Sequence, residues 1–258
     1  MAGDTTWELE YRNIEIWGTV ISIIIPRSDF DKSRFDQACH NAHEYYRQID
    51  NEFSTYKENS AISQLRNGEL AIADASANVK LVWNRCLELR ELTKRAFDPW
   101  AVEGGFDPSG YVKGWAAEQS LRFFVNEGFS RIQINAGGDI VVRGGYDQST
   151  PWNIGIRHPD IPNQIAKNFE LFDGAIASSG TYERGQHVID PRVGIAAVGA
   201  RAATVIGPDA GIADALATAV IVDGRDCVNW IAETEFRSYQ FWAVDKYGEG
   251  AWSFRNTE

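Results

Sequence analysis

Hairpin-like strand runs and long helical patterns follow one another in this chain without the one-for-one alternation of a doubly wound parallel sheet, and that order constrains the fold most. Residues 15–26, EIWGTVISIIIP, are rich in β-branched residues and stop at a proline, which predicts a buried strand. Gly18 interrupts the run, as a bulge or as a place where a ligand approaches the backbone. Residues 35–51 carry apolar and aromatic residues at helical spacing. Residues 53–66 predict a loop containing Tyr56, then a short helix capped by Ser60. The longest helical pattern starts at Asp74, with Val79, Val82, Trp83, Cys86, Leu89 and Leu92 on its apolar face.

Residues 97–115, FDPWAVEGGFDPSGYVKGW, hold two Asp-Pro steps and four glycines, and predict an ordered loop ending on a helix from about 114 to 126. Strands are predicted at 131–135, after the AGGD turn, and at 152–157, 168–172, 174–178, 202–206, 239–245 and 251–254. Residues 212–224, IADALATAVIVDG, predict a helix that 228–233 continue. No repeat or linker divides residues 1–258. The expectation is one α+β domain of mixed, largely antiparallel sheets with packed helices, or two intimately packed lobes.

The formal net charge of −11 argues against nonspecific binding to nucleic acid or an anionic membrane, because a phosphate surface is repelled at long range. A single phosphate still needs only local donors and a cation. Cys39, Cys86 and Cys227 are widely spaced with no CxxC, so three reduced thiols are expected. Residues 1–12 are acidic and mixed, and no stretch approaches the ~18 apolar residues of a membrane helix. A cytoplasmic protein is expected, an export segment removed from the sequence being the alternative.

Asp214 and Thr218 stand four residues apart, which on a helix puts a carboxylate and a hydroxyl on one face. That pair suits Mg2+, which takes few protein ligands and completes its octahedron with water and phosphate; the alternative is a carboxylate matched to the helix dipole. The Gly137-Gly138-Asp139 turn either brings N–H groups to a ligand or closes a hairpin. Residues 107–114, DPSGYVKG, offer a carboxylate, a carbonyl near Gly110 and Lys113. A lysine at a helix start opposes the dipole, so a phosphate or solvent should compensate it. Ser178, Ser179 and Thr181 supply hydroxyls, and His187 is either a general base or an ordinary hydrogen-bonding residue. His40 and His43 read as surface or packing residues, having no acidic partner at metal-site spacing. GxGxxG, Walker A, HExxH and GxSxG are all absent.

In order, these segments are FSTY with a following SxIS, AFDP, DxxxxxKG, NxGGD, SSG, HxIDPRxG and ADALxTA, running from residue 53 to 219. The series resembles the ApbE-type flavin transferases, which are FAD:protein FMN transferases. The resemblance implies an ApbE-like fold, FAD as substrate, a divalent cation, usually Mg2+, and transfer of the FMN moiety to a Ser or Thr hydroxyl of an acceptor protein with release of AMP. By position it implies that Trp17, Tyr56, Ala96, Phe97, Asp98, Asp107, Lys113 and Val188 line the FAD site. It assigns the cation to Asp214, Thr218 and the Gly110 carbonyl, and activation of the acceptor hydroxyl to His187. Gly110 stands where the family commonly has alanine, and Val193 where it commonly has threonine; a carbonyl ligand does not depend on the side chain. An FAD pyrophosphatase and a flavin-binding protein without turnover are the alternatives in the same frame.

Overall fold

The computed structural model describes residues 7–180, 188–232, 236–247 and 250–255. The chain opens on a hairpin, β1 (Leu9–Ile16) and β2 (Thr19–Pro26), joined through Trp17 and Gly18 at φ 55° and 67°. Two consecutive left-handed residues make the turn whose twist matches an antiparallel pair. The single strand expected over 15–26 is therefore two strands, and Gly18 is the turn and not a bulge. Helix α1 (Lys32–Phe53) is capped by Asp31, whose side chain accepts from the Arg34 N–H, and buries Phe35, Ala38, Cys39, Ala42, Tyr45, Tyr46, Ile49 and Phe53 along one stripe. His40 and His43 lie on its exposed side.

Helix α2 (Ala61–Arg66) is capped by Ser60 as its sequence predicts, and α3 (Ala77–Leu92) by Ser76. At 16 residues α3 is shorter than the 22 residues of α1, so the helix after Asp74 is not the longest. Helix α4 (Ser109–Asn126) begins about a turn earlier than 114, directly after Pro108. Strands β3 (Ile132–Ala136) and β4 (Asp139–Arg143) flank the Gly137-Gly138 turn, where both residues have positive φ and the Asn135 side-chain oxygen accepts from the Gly138 N–H at 2.8 Å. They are followed by β5 (Trp152–Arg157), β6 (Ile165–Leu171), β7 (Gly174–Gly180), the two-residue strands β8 (Ile189–Asp190) and β9 (Ile195–Ala196), and β10 (Ala200–Gly207). Helices α5 (Ala210–Asp223) and α6 (Val228–Ile231) and strands β11 (Gln240–Asp245) and β12 (Ala251–Arg255) complete the chain.

Eight strands form one sheet in the order β1-β2-β3-β4-β7-β10-β11-β12, every neighbouring pair antiparallel. Alternation of side chains gives this sheet two apolar faces. Val141, Ala203 and Val205 join the core built on α1, α4 and α5, whereas Ile140, Val142, Ile176, Ile206 and Trp242 pack beneath the β5–β6 hairpin with Trp152, Ile154, Ile156 and Phe169. Full burial of each such side chain contributes roughly 1.5–3 kcal/mol, so the central strands are held from both sides.

Candidate functional site

Helix α5 is rich in alanine on its buried surface, with Ala213, Ala215, Ala217 and Ala219 all inside. Small side chains let it lie close to β7, β10 and α4 at once. Asp209 caps it by accepting from the Ile212 N–H at 2.7 Å, which leaves Asp214 free of any capping duty. Asp214 and Thr218 sit one turn apart and both face a cavity of about 330 Å³. Its other walls come from residues 96–99, 101 and 102, from Asp107, Ser109, Gly110 and Lys113 around the start of α4, from Gly137, from Ser178–Gly180 of β7, and from Val188, Ile189 and Pro191.

The deep wall carries the strongest electrostatics. Asp139 and Asp214 are both buried, and between them lies the Lys113 ammonium, paired with Asp139 and 3.6 Å from Asp214 Oδ2. Lys113 thus has carboxylates, and not only phosphate or solvent, to offset the helix dipole. Burial, reinforced by the Asp139 charge and opposed by Lys113, raises the Asp214 carboxyl above its ordinary range. Asp214 Oδ2 has no hydrogen-bond partner. An ionised oxygen left so in a protein interior is costly unless a cation meets it.

Two further oxygens stand nearby. Thr218 Oγ1 is 3.3 Å from Ser179 Oγ, and the Gly110 backbone is close enough that a Cβ built on it would lie 3.7 Å from Thr218 Oγ1. Gly110 leaves helical geometry, at φ −80° and ψ 16°, in the first turn of α4. The donor set is hard oxygen throughout, the chemistry of Mg2+ and not of a soft metal. Among the described residues no group of three His, Cys, Asp or Glu side chains could hold a metal, so a cation here would need oxygens from a guest and from water.

Of the residues named from the sequence, Ala96, Phe97, Asp98, Asp107, Gly110, Lys113, Val188, Asp214 and Thr218 meet at this one cavity. Phe97 is buried, and its ring lies beside the Gly110 backbone as part of the cavity wall. Asp98 is held by Arg90 at 2.8 Å and Arg95 at 3.1 Å and accepts from the Trp100 N–H, which fixes the 96–102 loop. Asp107 accepts from the Ser109 N–H at 3.0 Å and faces Arg66 at 3.6 Å. Trp17 and Tyr56 are not brought to the cavity wall: Trp17 donates to the Tyr46 carbonyl at 3.3 Å, and Tyr56 is 96% exposed on its loop. His187 and Thr181 lie outside the described residues.

The sequence placed Asp139 in the glycine turn but gave its carboxylate no role. Nor did it assign Ser179 a place beside Thr218. Both gain their meaning from partners 26 and 39 residues away, which no local spacing reveals.

The family model described as "ApbE family" matches residues 17–104 and 101–240. The FAD:protein FMN transferase of Klebsiella pneumoniae (strain 342) is 33% identical over 97 residues, covering 34% of this chain and 28% of that protein. The FAD:protein FMN transferase of Escherichia coli (strain K12) is 32% identical with the same coverage, so the matched stretch spans little more than a quarter of these curated relatives. Among solved structures, an ApbE protein from Thermotoga maritima aligns with a TM-score of 0.81 at 21% identity over 96% of this chain and 97% of that one. The flavin transferase ApbE from Vibrio cholerae aligns with a TM-score of 0.80 at 19% identity over 97% of each chain. The Pseudomonas stutzeri flavinyl transferase ApbE, in its apo form, gives 0.78 at 18% identity over 96% and 94%.

Proposed function

The chain belongs to the ApbE family, and on that premise we propose that it is an FAD:protein FMN transferase, moving the FMN moiety of FAD to a Ser or Thr hydroxyl of an acceptor protein. The observation that carries this reading is the single cavity in which a lysine ammonium, a buried carboxylate lacking a hydrogen-bond partner on Oδ2 and a threonine hydroxyl converge. Apart from Gly137, the walls come from two sides, residues 96–113 and 178–218, which supports an FAD site between two packed lobes of one domain.

In the proposed reaction the acceptor hydroxyl oxygen attacks the FMN-side phosphorus of FAD. A new phosphoester P–O bond forms, the P–O bond to the AMP phosphate breaks, and AMP leaves with the bridging oxygen. The hydroxyl proton passes to a base, for which the family resemblance offers His187. The Lys113 ammonium would offset the charge that grows on the departing phosphate. Asp214 and Thr218, with the Gly110 carbonyl, would hold Mg2+, which when bound supplies electrostatic stabilisation of phosphate oxygens. The 96–102 loop, fixed through Asp98, shields one side of the cavity. Positioning and electrostatics account for this chemistry without a protein nucleophile.

Among the described residues no helix is long and apolar enough to cross a membrane. The proposed compartment is the cytoplasm and the proposed partners are FAD and a protein with a Ser/Thr flavinylation motif, not nucleic acid. Incubating the protein with FAD, Mg2+ and a threonine-bearing acceptor peptide tests the activity by mass spectrometry. The expected product is a peptide heavier by FMN less one water, with AMP in equal amount. Free FMN and AMP with unmodified peptide would instead make it a pyrophosphatase, and bound, intact FAD a binding protein.

A further inference from the structure

Asp139 is buried and has no part in the chemistry above, yet the chain places it with care. It is the first residue of β4, fixed by the Gly137-Gly138 turn that Asn135 closes. Its carboxylate receives the Lys113 ammonium, and the same ammonium is 3.6 Å from Asp214. Two buried carboxylates facing each other repel, and one cation between them satisfies both only in part.

We propose that Asp139 is a positioning residue that holds Lys113 as an internal cation beside Asp214, so that the ammonium and a divalent cation compete for the Asp214 carboxylate. The inference rests on the cation reading of Asp214 and Thr218. Without flavin, the Lys113 ammonium lies between the Asp139 and Asp214 carboxylates, and a divalent ion must share Asp214 with it. A diphosphate offers the ammonium other oxygens. Flavin and the divalent ion therefore favour each other's binding, and by linkage the effect is reciprocal.

The test is Mn2+ binding to the flavin-free full chain, read from the electron paramagnetic resonance signal of the unbound ion. Lys113→Met should bind Mn2+ about tenfold more tightly than the wild type, and Asp139→Asn several-fold more weakly, because Lys113 then loses its Asp139 partner and is drawn closer to Asp214. Arg66→Met removes the same unit of charge from a cation paired with Asp107 and not with Asp214, and should shift affinity less than about twofold. Equal tightening in Arg66→Met, or none in Lys113→Met, overturns the competition. A folded Asp139→Asn with wild-type affinity reduces Asp139 to a turn residue and overturns its role; if that variant does not fold, the other two still decide the competition. Failure of both wild type and Lys113→Met to bind Mn2+ removes the cation reading itself, an outcome distinct from unchanged affinities among binding variants.

Discussion

Gly114 of α4 lies against the first residue of α5: a Cβ built on it would stand 2.3 Å from the Ala210 carbonyl oxygen. The obstacle is backbone, so it cannot swing aside as a side-chain tip would. Gly114→Ala should push the helices apart and destabilise the protein by about 1–3 kcal/mol. Urea unfolding followed by circular dichroism measures it. Transfer should fall further than stability alone explains, since Lys113 and Asp214 ride on the two separated helices.

Thr93 fixes the cavity loop from below. Its hydroxyl donates to the Leu89 carbonyl at 2.7 Å and accepts from the Phe97 N–H at 3.1 Å, all within a buried site. Thr93→Val keeps the volume but leaves the Phe97 N–H unpaired, at a cost of about 1–3 kcal/mol. Thr93→Ser should recover most of that loss in the same denaturation measurement. A serine variant as weak as the valine one would show that the methyl group, and not the hydrogen bond, matters.

Glu118 of α4 is mostly buried and accepts from the Ala210 N–H at 2.9 Å. Burial pushes its carboxyl up to about 7, the Ala210 N–H opposing and Asp209 adding to the rise. A raised folded value means that the native state holds this proton more tightly than the unfolded chain. Stability from this group is thus present at low pH and lost as pH rises from the ordinary glutamate range, about 4.3, to about 7. Glu118→Gln should match the wild type near pH 4 and exceed it near pH 8 by about 1 kcal/mol, a figure reduced for solvent screening. Melting temperatures at the two pH values check the sign.

Asp214→Ala removes the proposed cation anchor and should lower Mg2+-dependent peptide flavinylation by about 100-fold or more. Wild-type turnover by this variant at low Mg2+ would refute the assignment. Thr218→Val preserves shape and should weaken Mg2+ activation while leaving the melting temperature within a few degrees, because the hydroxyl faces the cavity and the half-buried side chain keeps its packing.

The sequence made most helices and strand segments readable, through the one-sided apolar stripe of α1, the continuous apolar run of α5 and the β-branched strand runs, and its Asp214–Thr218 spacing located one wall of the cavity. It hid the β1–β2 turn, since β-branched residues continue on both sides of Trp17-Gly18 and a tryptophan at positive φ is unexpected. It also hid the start of α4, where Asp-Pro punctuation masks a helix that proline tolerates at its beginning. Strands β8 and β9 are two residues each, too short for any period to register. Long-range pairing is the part that spacing does not encode: Lys113 acquires Asp139 and Asp214 only through the packing of three elements.

That convergence ties the site to the cooperativity of the whole molecule. Residues 113, 139 and 214 meet only once α4, β4 and α5 have docked, so no fragment of the chain presents the full charge cluster. A guest bound among them contributes its binding free energy to all three elements together. Amide hydrogen exchange should then slow in step across α4, β4 and α5, far beyond the few backbone groups that the guest itself touches.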